Sequence, residues 1–357
     1  MAAGESTPFF SLVPVSFRLV HVLSVSSLKG GVGKTTVTLG LASAAFSRGL
    51  RTLVVDLDPQ SDVSTGMDVS PEGHSNIADV LESPKEKTVR DAIVPSGWTK
   101  HHEGNIDVLI GSPAAINFDG PHPSIREIWK LEEALASVEK DYDLVLIDCA
   151  PSLNALTRTA WAASDRVLVV TEPGLFAVAA ADRALRAIEE IRRGISPRLQ
   201  PLGIVINRAR TQSMEHQFRI RELREMFGPL VLSPQLPERT SLQQAQGAAK
   251  PVHIWPGETA QEMAGYFDQI LDRVLRSAGI EAPTARLLAR MGDGASDSAT
   301  VIATEPLPTE VSDTADVVTD RAAEPVDPAV VEPDASEAQP SGNASTQRQQ
   351  PKKKKKR

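Results

Sequence analysis

Residues 26–36 read SSLKGGVGKTT, and no other stretch restricts the fold as strongly. Glycines followed by Lys-Thr form a loop whose backbone N–H groups and following helix N-terminus hold an anion, so the motif demands a strand before it and a helix after it. Both are present in the pattern: the apolar run RLVHVLSV (18–25) leads in, and a helical periodicity over 34–48 leads out, ending at Gly49, a residue suited to a left-handed cap. The usual phosphate loop, G-x-x-x-x-G-K-[ST], would place glycine at position 28, where this chain has Leu28, and the next residue is Lys29. The loop is therefore Lys29, Gly30, Gly31, Val32, Gly33, Lys34, Thr35 and Thr36, with two lysines five residues apart. By the mechanics of such loops, Lys34 neutralises the β and γ phosphates of a nucleotide and the Thr35 hydroxyl ligates Mg²⁺.

Further apolar runs at 52–57, 106–110, 144–148, 167–171, 202–207 and 230–236 are short, rich in Val, Leu and Ile, and barely alternate, as strands covered on both faces do. Helical patterns at 124–140, 174–193 and 213–227 lie between several of them. Alternation of this kind predicts an α/β fold, a mostly parallel twisted sheet with helices on both faces, in one domain over 19–278. Residues 1–18 read as an N-terminal arm. The segment 279–350 is acidic and rich in Pro, Ala, Ser and Thr, and over 293–350 it has no aromatic residue, so it is expected to be disordered. The last seven residues, PKKKKKR at 351–357, form a polybasic terminus. One cysteine, Cys149, excludes an internal disulfide and a four-cysteine cluster within the chain, and points to a reducing, cytoplasmic compartment. No run approaches the length of a membrane-spanning helix.

The motif K-G-G-V-G-K-T-T resembles the deviant Walker A loop of the ParA/MinD family of ATPases, which are P-loop NTPases. LVVDLDPQSDVSTG (53–66), LVLIDCAPSL (144–153), VINRART (205–211) and LPERTSLQQAQGAAKPV (236–252) are similar, in order, to the segments that follow in ParA proteins. The resemblance implies ATP and Mg²⁺ as cofactors and a homodimer formed on ATP binding. It makes Lys29 a charge supplied across the dimer to the partner's phosphates, the part an arginine finger plays elsewhere. It assigns Asp56 and Asp148 to the Mg²⁺ site with Thr35, Asp58 to orientation of the attacking water, and Asn207 and Pro237 to the adenine side. Asp56 and Asp58 flank Leu57 and are expected on one face of the extended chain. Departures from the family pattern fall at Ser61-Asp62, Ala150 and 243–246, the last in the stretch that closes the nucleotide pocket.

Arginine is dense over 183–224, on a chain whose net charge is −8. Arg208, Arg210, Arg219, Arg221 and Arg224 are the densest part and the expected surface for nonspecific DNA, with Lys352 to Arg357 as a second cationic segment. A solvated helix face laced with i, i+4 pairs is the alternative. The resemblance further implies a ParB-like protein or cargo adaptor as partner, nucleoid association, and an output of chromosome, plasmid or cargo positioning, with division-site or polar positioning as the other reading. Related cluster-bearing reductases need paired cysteines, and tyrosine autokinases a tyrosine-rich tail; one Cys, and Tyr142 and Tyr266 as the only tyrosines, exclude both. Cys149 is expected to be a buried, inert thiol. His74, His101 and His102 show no ligand-like spacing, and Trp98, Trp129, Trp161 and Trp255 read as packing residues.

Overall fold

The computed structural model describes residues 20–100 and 104–279. The arm, the His101-His102 pair, the acidic segment beyond 279 and the terminal lysines lie outside the described residues.

The strands are β1 (His21–Ser26), β2 (Thr52–Asp56), β3 (Ile93–Pro95), β4 (Ile106–Leu109), β5 (Leu144–Asp148), β6 (Arg166–Thr171) and β7 (Gln200–Ile206). The helices are α1 (Lys34–Ser47), α2 (Asp62–Gly66), α3 (Ile77–Glu82), α4 (Glu86–Asp91), α5 (Ile125–Ile128), α6 (Lys130–Ala136), α7 (Ala155–Ala162), α8 (Ala177–Gly194), α9 (Met214–Phe227), α10 (Thr240–Gly247) and α11 (Glu258–Ala278). Among the described residues the strands form one seven-stranded sheet in the order β3-β4-β2-β5-β1-β6-β7. All pairs are parallel except β3 with β4.

The weak alternation of the strands has the expected cause. Val22, Val55, Val145, Ile147 and Val169 join one apolar cluster, while Leu23, Val25, Val54, Leu146 and Leu168 join the cluster on the opposite face. Apolar residues therefore fill both faces of the strands, with buried polar exceptions such as Ser24, whose hydroxyl pairs with that of Ser164. The second cluster is roofed by α1 and α11. Helix α1 is buried nearly all round, and it lies so close to α11 that a Cβ on Gly40 would stand 2.2 Å from the Phe267 ring. Burial of a side chain such as Phe267 stabilises by roughly 1.5–3 kcal/mol.

Two expectations are corrected. The run 230–236 forms no strand: a 3₁₀ turn at Gly228–Leu230 is followed by isolated bridges from Val231 to Ile204 and from Pro237 to Ala209. Gly228 with φ +51 and two prolines, Pro229 and Pro234, deny it a continuous ladder. The pattern over 124–140 divides into α5 and α6, because Trp129 closes one and caps the other. The antiparallel edge strand β3 escaped the sequence reading, as three residues ending in proline carry almost no periodic signal.

β1 lies between β5 and β6, although the chain leaves it for β2. Ligand crevices of open α/β sheets form at such a point, beyond the carboxyl ends of the strands. The glycine loop follows β1 there.

Candidate nucleotide site

Ser27 begins the loop with a local turn, its hydroxyl donating to the Lys29 carbonyl (3.0 Å) and accepting from the Lys29 N–H (3.1 Å). Gly31 and Gly33 have φ +77 and +88, which glycine adopts freely. Gly33 is needed for a second reason: a Cβ there would lie 2.3 Å from the Asn207 amide nitrogen. Gly33 is also the N-cap of α1, with no side chain capping the helix. Among the described residues, no N–H group from 30 to 36 has a protein acceptor. A row of unsatisfied donors at the N-terminus of a 14-residue helix is an anion cradle.

The two loop lysines have opposite surroundings. Lys34 is buried, with its ammonium 3.7 Å from Asp58. Lys29 is 45% exposed and pairs with Glu172, just beyond β6. The chain thus buries one loop cation against its own carboxylates and leaves the other at the surface.

Asp56 and Asp148 stand in register at the ends of β2 and β5. Asp148 is fully buried and accepts from the hydroxyls of Thr35 (2.7 Å) and Thr38 (2.9 Å). Burial pushes its carboxyl up to about 6, against the opposing pull of Lys34 and the two hydroxyls. Asp56 accepts from the Ser64 N–H and hydroxyl, both at 2.8 Å, while its Oδ1 is buried without a partner. Burial, with the neighbouring Asp148 charge added, pushes Asp56 up to about 7, although the Ser64 bonds act the other way. Asp58 lies past the end of β2 and turns to Lys34. The structure therefore brings Thr35, Asp56, Asp58, Asp148 and Lys34 to one crevice.

Asn207 is buried at the end of β7 and donates from its side chain to the Val32 carbonyl (2.9 Å). Pro237 lines a cleft of about 520 Å³ with Ala209, Arg210, Thr211 and Arg239. Gln246 in α10, within the segment that departs from the family pattern, accepts a long 3.4 Å bond from the Thr36 hydroxyl. Thr38, Ser64 and Glu172 escaped the sequence reading. Thr38 had the weak signal of a hydroxyl one turn after Thr35; Ser64 and Glu172 had none, since Ser64 meets Asp56 only through the turn into α2 and Glu172 meets Lys29 from a distant segment. Cys149 is buried, its thiol pushed up to about 12 by burial, in keeping with an inert role.

The dense arginines separate into different uses. Arg208 donates to the Gly31 carbonyl (2.6 Å). Arg210 pairs with Glu238 (2.6 Å), and Arg219 with Glu215 (2.8 Å) and Glu222 (3.0 Å). Arg221 and Arg224 are exposed, have no ion-pair partner among the described residues, and line a groove of about 400 Å³.

A glycine loop on the central parallel strand, a buried lysine and hydroxyl at the helix start, and carboxylates at neighbouring strand ends define a P-loop NTPase. An AAA domain family model, AAA_31, matches residues 20–201. The chromosome partitioning protein ParA of Caulobacter vibrioides is 32% identical over 258 residues, 70% of this chain and 92% of that protein. The chain belongs to the ParA/MinD family of ATPases, close to ParA. Its fold is shared with the ATP complex of a Cyanothece McdA variant, which is 19% identical, with a match that covers 74% of this chain and 98% of that one and a TM-score of 0.62. Cobyrinic acid a,c-diamide synthase from Mycobacterium smegmatis, with a bound ATP analog and magnesium, is 24% identical, covers 72% of this chain and 95% of its own, and has a TM-score of 0.60. Among the described residues no helix is long and apolar enough to cross a membrane.

Proposed function

We propose that this chain is an ATP-driven dimerising switch of the ParA type. The observation that carries the reading is the contrast between its loop lysines: Lys34 buried beside Asp58, Lys29 exposed at the rim. One cation serves the chain's own triphosphate. The other, held at the rim by an exposed pair with Glu172, exchanges that pair for a partner's triphosphate, where two facing polyanionic nucleotides need added positive charge.

The donor set fits ATP with Mg²⁺. Free loop amides and Lys34 suit the phosphates, the Thr35 hydroxyl suits a hard cation, and Asp148 and Asp56 offer carboxylates within reach of it. Bound Mg²⁺ supplies charge neutralisation on the phosphates. Asp58 orients the attacking water, and its contact with Lys34 sets the direction of its carboxylate. Lys29 stabilises charge on the partner's nucleotide. The Asn207 side chain uses its N–H₂ on the loop and keeps its carbonyl for adenine, with Pro237 on the same side. The closed dimer binds DNA without sequence preference through Arg221 and Arg224, with Lys352 to Arg357 contributing, which associates it with the nucleoid. A ParB-like protein or cargo adaptor stimulates hydrolysis and releases it, and the cycle positions a chromosome, plasmid or other cargo.

Sedimentation and DNA retention, each with ATP and with ADP, test this. ATP is expected to double the mass and confer DNA binding that weakens steeply with salt, and ADP to do neither. Lys29→Ala is expected to bind ATP and remain a monomer. A Lys29→Ala variant that dimerises and hydrolyses like its parent overturns the reading.

A further inference from the structure

We propose that Arg208 is a positioning residue of the glycine loop: with Asn207 it holds two successive loop carbonyls, so that the loop amides face the phosphates. This rests on the assignment of the loop as an ATP site and gives it a part that sequence reading had assigned to DNA.

The geometry is local and specific. Arg208 Nη1 donates to the Gly31 carbonyl at 2.6 Å, and Asn207 Nδ2 donates to the Val32 carbonyl at 2.9 Å. In a trans peptide the C=O and the next N–H point in opposite directions across one plane. Holding the Gly31 carbonyl therefore aims the Val32 N–H away from β7, and holding the Val32 carbonyl does the same for the Gly33 N–H. Neither N–H has a protein acceptor. Two neighbouring side chains at the end of one strand thus fix two neighbouring donors of the cradle, before any anion is bound.

The backbone at Arg208 supports this use. Arg208 has φ +53, in the left-handed region that a long side chain rarely adopts. Such a conformation persists where surrounding contacts over-determine it, and those contacts concentrate at functional positions. Here the preceding N–H of Asn207 is held by the Thr171 carbonyl (2.8 Å), and the following N–H of Ala209 by the Leu236 carbonyl (3.0 Å). The turn directs the guanidinium back over the loop and the chain onward into the cleft lined by Pro237. Arg208 therefore ties the phosphate side of the site to its base side.

Arg208→Gly separates the side chain from the strain, because glycine adopts this φ freely. Arg208→Lys keeps a cationic donor. Titration with ATP and Mg²⁺, read by calorimetry, is expected to show about tenfold weaker binding for Arg208→Gly, as loss of a charge-assisted hydrogen bond implies, with partial recovery in Arg208→Lys. The melting temperature without nucleotide is expected to stay unchanged, and DNA retention at saturating ATP to match the parent. Unchanged ATP affinity in Arg208→Gly overturns the proposal, as does equal loss in the glycine and lysine variants. Loss of DNA retention with ATP affinity intact returns Arg208 to the DNA surface. Lys34→Ala separates the two assignments: if it abolishes ATP binding while Arg208→Gly does not affect it, the loop is an ATP site and only the positioning role fails. If the parent itself binds no ATP, the site assignment fails with it.

Discussion

The glycine loop at 29–36 and the arginine-rich stretch at 208–224 both gather cations into a short span, and the fold treats them differently. In the loop, spacing and function coincide. Lys34 reaches the strand-end carboxylates because it is the first residue of α1, and Lys29 stays at the rim because it precedes the turn. In the arginine stretch, adjacency in sequence has little meaning. Arg208 keeps its charge but is engaged by a loop carbonyl, Arg210 and Arg219 are paired with glutamates, and Arg221 and Arg224 are exposed with no ion-pair partner among the described residues. Charge density along a chain is therefore not charge density on a surface: acids supplied by other turns and segments decide which cations remain available to a partner.

The comparison yields measurements of decreasing size. Lys34→Ala removes the buried cation beside Asp58, and ATP affinity measured by calorimetry should fall by about 100-fold or more, the scale for one partner of a buried charge pair. Retained binding would remove the contrast between the lysines. Next, the double variant Arg221→Ala, Arg224→Ala should lower the slope of DNA affinity against salt by roughly 4 for the dimer, as two lost phosphate contacts in each protomer require. Arg219→Ala should leave that slope nearly unchanged, and equal slopes in the two variants would show that the glutamate pairs do not screen Arg219. The smallest effect belongs to Glu172→Gln. It frees Lys29 from an exposed ion pair of modest strength, so the ATP-bound dimer should form at about two- to fivefold lower protein concentration, read by sedimentation. A weaker dimer would mean that Glu172 holds Lys29 in its working position.

The fold was legible where one residue type has one use. Strands buried on both faces are rich in Val, Leu and Ile with little alternation, so β1, β2, β5, β6 and β7 could be read directly. The segment at 230–236 has the same composition and misleads, because apolar content reports burial and not hydrogen bonding: Leu232 and Leu236 pack in the core without forming a strand. Short helices such as α2 and α3 are too brief for a periodic signal, and they exist because α2 brings Ser64 to Asp56 and Asn76 caps α3. In the site, loop and carboxylates followed from motif and resemblance. Their partners did not: Thr38 and Glu172 gain meaning only once segments distant in sequence lie side by side, and Ser64 only once the turn into α2 folds it back on Asp56.

The sequence by itself determined the anion cradle, the α/β class and the presence of two loop lysines, because glycine spacing and apolar runs act through local backbone geometry and burial. Only the tertiary structure decided which cations are neutralised, which carboxyl oxygens lack partners, and that Arg208 faces the loop. Those outcomes depend on distances of a few ångströms between segments up to 177 residues apart in the chain, and hydrogen bonds and ion pairs fall off over that range.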